Sequence, residues 1–230
     1  FVDEIFKLCQ DKSWRVKYMA ADKFIKIYEI VPSVDHKNQL IQIAERLLCD
    51  GEAEVRGSIC TQLVGLLSLI STQNTDVIRQ FIQPIKALAA DSIPYVRSTL
   101  AKHITGLCQI FGGERTHNDL LPIFLQLLKD EEPEVRLNLI SSLGEVTDVV
   151  GIDTISHSLL PAIIELAEDK QWRVRLAIIE YIPLLANQLG VDFFNDKLTT
   201  LCMSWLGDPV FSVREEATNN LKKLIDVFGV

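Results

Sequence analysis

The sequence predicts an all-α fold, an α-solenoid or superhelix of six helix hairpins with a period of about 39 residues. Three observations carry this. A short signature (Asp, four residues, Val, then Arg or Lys) recurs six times. Successive aspartates stand 39, 41, 39, 39 and 39 residues apart. Past each aspartate the apolar residues step by three and four, the spacing of one α-helical face, and no strand alternation appears. A fixed period of this size marks a solenoid, whose units bury their apolar faces only against their neighbours.

The second helix of each hairpin is the clearest element. Nine residues past the aspartate stand Ala20, Ile59, Leu100, Leu139, Ile178 and Ala217; thirteen past it stand Phe24, Leu63, Ile104, Leu143, Ile182 and Leu221. The stripe continues one and two turns on with Ile27/Val31, Leu66/Ile70, Leu107/Phe111, Val146/Val150, Leu185/Leu189 and Leu224/Phe228. Gly112, Gly151, Gly190 or Gly229 follows, a helix stop free to adopt positive φ. A first helix precedes each aspartate. Its core positions are Phe1, Leu40, Phe81, Leu120, Leu159 and Leu198, then Leu8, Leu47, Leu88, Leu127, Leu166 and Trp205. Pro122 and Pro161 fall near its start, where a missing N–H costs little. The six units cover roughly residues 1–37, 38–76, 77–116, 117–155, 156–194 and 195–230 of a single solenoid.

Composition narrows the function. The chain has 230 residues, 48% of them hydrophobic, enough for a sizeable core. A net charge of −8 and a pI near 5.1 argue against nucleic acid or an anionic membrane as the main partner, since a polyanion needs a basic footprint. Cys9, Cys49, Cys60, Cys108 and Cys202 are scattered and odd in number, with no CxxC pair or zinc spacing. They read as buried, reduced thiols of an intracellular protein. The uncharged stretch from Gly57 to Thr75 carries too many Ser, Thr, Gln and Asn for a membrane span and reads as a buried helix with its loop. No signal sequence is visible and the first residue is Phe1, so the chain is expected to be a segment of a longer one. Beginning inside a helix and ending just after one, it is expected to expose apolar faces at both ends.

Tetratricopeptide and ankyrin units are shorter than this period. Proline in the first helix, aspartate in the turn and Val-Arg opening the second helix resemble HEAT repeats. In that family the aspartate and the basic residue form a ladder between neighbouring repeats. The resemblance therefore implies a structural role for the pairs Asp11/Lys17, Asp50/Arg56, Asp91/Arg97, Asp130/Arg136, Asp169/Arg175 and Asp208/Arg214. The chemistry suits it: aspartate near a helix start accepts backbone N–H groups, and arginine offers a planar fork to a carboxylate. Lys17 departs from the pattern and is expected to make a less directional rung.

The likeness is narrower still. The stretches PEVRLNLISSL (133–143) and SLLPAIIELAEDKQWRVRLAIIEYIPLLANQLGVDFF (158–194) resemble the scaffold (A) subunits of protein phosphatase 2A. So do DKSWRVKYMAADKF, from Asp11, and LCMSWLGDPVFSVREEATNNLKKL, from Leu201. By order the six units resemble the seventh to twelfth of that family's fifteen repeats. The resemblance implies a non-catalytic structural scaffold of a serine/threonine phosphatase 2A holoenzyme, cytoplasmic with the nucleus as a second compartment. Its partners would be a regulatory B subunit together with the phosphatase catalytic subunit. Another HEAT-type protein-binding array, such as a nuclear-transport receptor, is the alternative, although such arrays have less regular periods.

Between the aspartate and the Val-basic pair lie positions outside both apolar faces, which the spacing puts in the turn. They read as basic and aromatic (Lys12, Trp14, Arg15), acidic (Glu52, Glu54), nearly neutral (Pro94, Tyr95) and acidic again (Glu131, Glu132, Glu134). The fifth is basic and aromatic (Lys170, Trp172, Arg173), and the sixth apolar (Val210, Phe211). Trp with Arg is the pairing enriched in binding hot spots, which favours partner contact over the other reading, that each Trp covers a seam between repeats. Carried over from the family, Lys170, Trp172, Arg173, Val210 and Phe211 are implied contacts of the catalytic subunit. Lys12, Trp14, Arg15, Glu52, Glu54 and Tyr95 are implied contacts of a regulatory subunit. Two residues depart from the family pattern: Gln171 where Lys is usual, and Phe211 where Tyr is usual.

Nothing in the sequence carries catalysis. His36, His103, His117 and His157 occupy unrelated positions without a Cys or carboxylate at metal spacing. His-Glu dipeptides, GxSxG, a phosphate loop and GxGxxG are absent. No cofactor, metal or small-molecule substrate is expected, and no enzyme activity.

Overall fold

The computed structural model describes residues 2–72 and 77–229, so Phe1, Gln73, Asn74, Thr75, Asp76 and Val230 lie outside the described residues. At every signature the aspartate fixes where the second helix starts. Its Oδ1 accepts the backbone N–H two residues on, from Ser13, Glu52, Ile93, Glu132, Gln171 and Val210, at 2.7–3.0 Å. Those six residues have extended backbones and cap the second helices without using their own side chains. The aspartate upstream instead accepts the N–H of the cap residue itself, an Asx-type turn that folds the chain into the helix start.

The second helices begin at Trp14, Ala53, Pro94, Pro133, Trp172 and Phe211. The first helices include Val2–Cys9, Val34–Leu48, Ile82–Ala89, Leu121–Leu128, Leu160–Leu166 and the pair Val191–Lys197 and Thr199–Ser204. No strand occurs among the described residues. The chain divides into two units, Phe1–Arg115 and Thr116–Val230, each holding three signatures.

Inside each unit the predicted stripes form the core. In the first unit Phe24, Leu63, Leu66, Ile104 and Leu107 are buried, and in the second Leu139, Leu143, Ile178, Ile182 and Leu185. Burying one such side chain is worth about 1.5–3 kcal/mol, so several per hairpin outweigh any single polar contact. Leu8 departs from its predicted core place and is 49% exposed. Its helix packs chiefly on Trp14–Asp22 and Val34–Leu48, whereas Val34–Leu48 is flanked by first helices on both sides. In the last hairpin Leu221 is half-buried and Ile225 exposed.

Two kinds of residue shape the joints between hairpins. Gly112, Gly151 and Gly190 have φ of 74°, 78° and 83° with ψ near 165°, a mirror-extended backbone reserved for glycine. They launch the next helix directly, and only Gly229 takes the left-handed form (φ 70°, ψ 35°). Pro122 and Pro161 sit second in their α-helices, each after a π-helical turn, Thr116–Leu120 and Ile155–Leu159. The wider turn suits a residue that offers no N–H and crowds the carbonyl four residues back.

The basic residue of the signature works in two directions. Nη1 of Arg56, Arg97, Arg175 and Arg214 donates to the carbonyl of its own hairpin's aspartate at 2.6–2.8 Å, and Arg136 bonds the Asp130 carbonyl likewise. In three of them the rest of the fork reaches the next hairpin. Arg56 holds Asp91 at 2.6 and 2.8 Å, Arg136 holds Asp169 at 3.0 and 3.1 Å, and Arg175 holds Asp208 at 2.8 and 2.9 Å. Lys17 pairs with Asp50 through its single ammonium.

A buried seam bond has a different cause. Pro183 lies inside the Trp172–Leu189 helix and lacks the N–H that would bond the Ile179 carbonyl. Asn220, buried in the Phe211–Phe228 helix of the next hairpin, donates its Nδ2–H to that carbonyl. Trp205 Nε1 donates to the Ala167 carbonyl at 3.0 Å across the same pair of hairpins.

These bonds can be tested one at a time. Arg175→Ala is expected to lower the unfolding free energy by about 2–4 kcal/mol at pH 7, read from urea midpoints. Burial acts to raise the Asp208 carboxyl, but the Arg175 and Val210 bonds and the charges of Arg175 and Arg214 outweigh it and hold its pKa below the ordinary value. Stabilisation is therefore complete above the unfolded pKa of about 3.9 and fades as pH falls through the folded pKa. The gap between wild type and mutant should narrow below about pH 4; a gap unchanged from pH 7 to pH 3 would refute the rung as its source. Asn220→Ala should cost about 1–3 kcal/mol. In a Pro183→Ala background, where Ile179 regains a helical donor, the cost should drop by about 1 kcal/mol or more, and equal costs in both backgrounds would count against the proline account.

Candidate functional site

Because the aspartate bond closes the turn early, the chain is already helical three residues past it. Trp14, Trp172 and Phe211 are thus the first residues of their helices rather than turn residues, which corrects the reading from spacing. Arg15, Glu54, Tyr95 and Arg173 come second, at the exposed edge of the first turn. Proline takes the first place in two hairpins, Pro94 and Pro133, where no helical bond is lost.

Both Trp-Arg pairs adopt one geometry. The guanidinium of Arg15 lies 4.6 Å from the Trp14 ring centroid, and that of Arg173 lies 4.6 Å from Trp172. Each Trp is half-buried and each Arg exposed. Such a stack is worth about 0.5–1 kcal/mol at an exposed site, enough to hold the charge in place before anything binds. On the sixth hairpin Val210 is half-buried and Phe211 is 66% exposed, with Arg214 5.8 Å from the Phe211 ring.

In the first unit the structure brings several predicted residues together. Trp14, Arg15, Glu54 and Tyr95 line one open groove of about 780 Å³. Tyr18, Met19, Ala53 and Ile93 complete it, and sequence reasoning had not singled these four out. A signal existed. Tyr18 and Met19 stand seven and eight residues past Asp11, off the stripe at five, nine and thirteen, and Ile93 is an apolar residue at a cap. Lys12 and Glu52 are exposed close by in sequence but do not line the groove. In the second unit Lys170 lines a separate, polar groove of about 530 Å³ with Glu131, Glu165 and Glu168.

Burial keeps Cys9, Cys60 and Cys202 in the thiol form. All five cysteines are free, and four are buried, with Cys49 exposed at a helix end. Burial pushes the Cys9 thiol up to about 11 and Cys60 and Cys202 up to about 12, far from the thiolate range that attacks at neutral pH. No group of three or more His, Cys, Asp or Glu side chains placed to hold a metal occurs among the described residues.

This geometry has relatives. The chain is 51% identical over 96 residues to the A beta isoform of the human 65 kDa regulatory subunit of serine/threonine-protein phosphatase 2A, covering 41% of the chain and 16% of that protein. Its mouse counterpart is 51% identical over 59 residues, 26% of the chain and 10% of the relative. Each match thus spans a small part of the relative's length. Among solved structures, a Kap95p–RanGDP structure superposes with a TM-score of 0.76 at 16% identity, over 98% of this chain and 31% of the other. A designed armadillo repeat protein in complex with a (KR)4 peptide gives 0.58 at 17%, over 97% and 99%. Likeness at this distance shows the fold alone, an all-α solenoid of helical repeats. A model of the PPP2R1A-like HEAT repeat matches residues 36–112 and 114–190, most of the chain. With its arginine–aspartate rungs and exposed second-helix starts, the chain belongs to the PPP2R1A-like HEAT-repeat family.

Proposed function

We propose that the chain is a non-catalytic scaffold of a protein phosphatase 2A holoenzyme, acting by holding protein partners rather than by chemistry. The observation that carries this is the 51% identity to a 65 kDa regulatory subunit of phosphatase 2A within a matching repeat family. Partners dock on the starts of the second helices. Lys170, Trp172, Arg173, Val210 and Phe211 receive the catalytic subunit, and Lys12, Trp14, Arg15, Glu52, Glu54 and Tyr95 receive a regulatory B subunit. Half-buried tryptophans with stacked arginines favour this role, being rigid anchors of the kind that dominate interface energies. The compartment that goes with this function is the cytoplasm, with the nucleus second.

Tethering raises the effective concentration of one partner near the other, which is how a scaffold selects substrates without touching them. Contacts run between neighbouring hairpins, so small changes at each seam allow elastic adjustment. The fold likeness to Kap95p does not favour a transport role, because it rests on backbone shape at 16% identity.

The test is binding of the chain to the isolated phosphatase 2A catalytic subunit by calorimetry, for wild type and the Trp172→Ala/Arg173→Ala double variant. Wild type should bind, and the folded double variant should lose about 2 kcal/mol or more. Equal binding by both would remove the tryptophan from the interface, and no binding by wild type would mean that the catalytic subunit is not its partner.

A further inference from the structure

The groove in the first unit is a notch cut into the second hairpin. At the first position of the second helix the six hairpins carry Trp14, Ala53, Pro94, Pro133, Trp172 and Phe211. One turn on they carry Tyr18, Gly57, Ser98, Leu137, Leu176 and Glu215. The second hairpin alone has alanine and glycine at these two places. Tyr95 leans into the space: a Cβ on Gly57 would stand 2.6 Å from its Cε1, so the ring rests on glycine backbone. Ala53 is left as the floor, with Trp14, Tyr18 and Met19 as one wall and Ile93 and Tyr95 as the other. Met19 is 60% and Tyr95 55% exposed, an unusual cluster of large apolar side chains facing solvent.

The charges at the rim differ. Arg15 is committed to the outer wall, stacked on Trp14. Glu54, next to Ala53, is exposed and makes no ion pair or side-chain hydrogen bond among the described residues. A cation is therefore repelled on the Arg15 side and attracted on the Glu54 side, a polarity that fixes the direction of whatever binds.

We infer that the notch over Ala53 receives a segment of the regulatory subunit that presents one large apolar side chain beside a lysine or arginine. The apolar side chain enters between Trp14 and Tyr95, and the cation meets Glu54. Ala53 and Gly57 determine specificity here, because their smallness makes the space. This rests on the scaffold reading above and adds to it the chemistry of the occupant.

The experiment measures binding of a purified phosphatase 2A regulatory B subunit to the whole 230-residue chain, with catalytic-subunit binding as a parallel readout. Ala53→Trp fills the notch with the residue that the first and fifth hairpins already hold at this position, so the helix start should tolerate it. It should weaken regulatory-subunit binding at least tenfold and change catalytic-subunit binding less than about twofold. Glu54→Lys should weaken regulatory-subunit binding about tenfold and Glu54→Gln less, with circular dichroism reporting an intact helical fold. If wild type binds and Ala53→Trp or Glu54→Lys binds equally well, the inference fails while the scaffold reading stands. Complete failure of wild type to bind the regulatory subunit would bring down both.

Discussion

Arg56, Arg136 and Arg175 are each bonded twice, once to the backbone carbonyl of their own hairpin's aspartate and once, through the rest of the fork, to the aspartate side chain of the next hairpin. The same aspartate accepts the N–H that starts its own second helix. Turn, helix start and neighbour are thus locked by one chain of charge-assisted bonds. Everything at the second-helix starts takes its register from this. A ladder out of step by one residue would swing Trp14 and Trp172 off their edge and carry core residues with them. Lysine at position 17 satisfies the charge but not the two-point geometry, so that seam has less angular definition than those closed by arginine.

The rungs set register more than they supply stability. Core burial in each hairpin outweighs them, and their groups lose hydration when packed at the seam. Their value lies in direction: apolar surfaces slide, whereas a fork on a carboxylate does not. The Asn220–Ile179 bond follows the same logic inside a seam, where a carbonyl left without its helical donor by Pro183 accepts from the neighbouring hairpin. Such cross-seam bonds make the fifth hairpin a structural part of the sixth.

The edge itself is built from residues that packing does not use. Trp14 and Trp172 stay half-buried because the first position of the helix lies outside the apolar stripe, and their arginines sit on the exposed side. The two units differ in what they present there. The first has an apolar notch between aromatic walls; the second has a groove lined by Lys170, Glu131, Glu165 and Glu168 and, on its last hairpin, an exposed Phe211. Chemical difference along an otherwise repetitive edge is how a repeat protein distinguishes one partner from another.

Most of the fold was legible in the chain of letters. Periodicity alone gave the hairpins, their helical faces, the aspartate–basic signature and the glycine stops, because those depend on local spacing that recurs six times. The tryptophans and their arginines stood out for the same reason: large residues off an apolar stripe have nowhere local to go. Packing decided the rest. That Tyr95 rests on Gly57 joins residues 38 positions apart, and which distant ring takes the space a glycine leaves depends on how the two hairpins pack. That Asn220 serves the Ile179 carbonyl depends on how two helices of different hairpins face each other. Leu8 shows the converse: its letter promised a core place, and only its neighbours in space could refuse one.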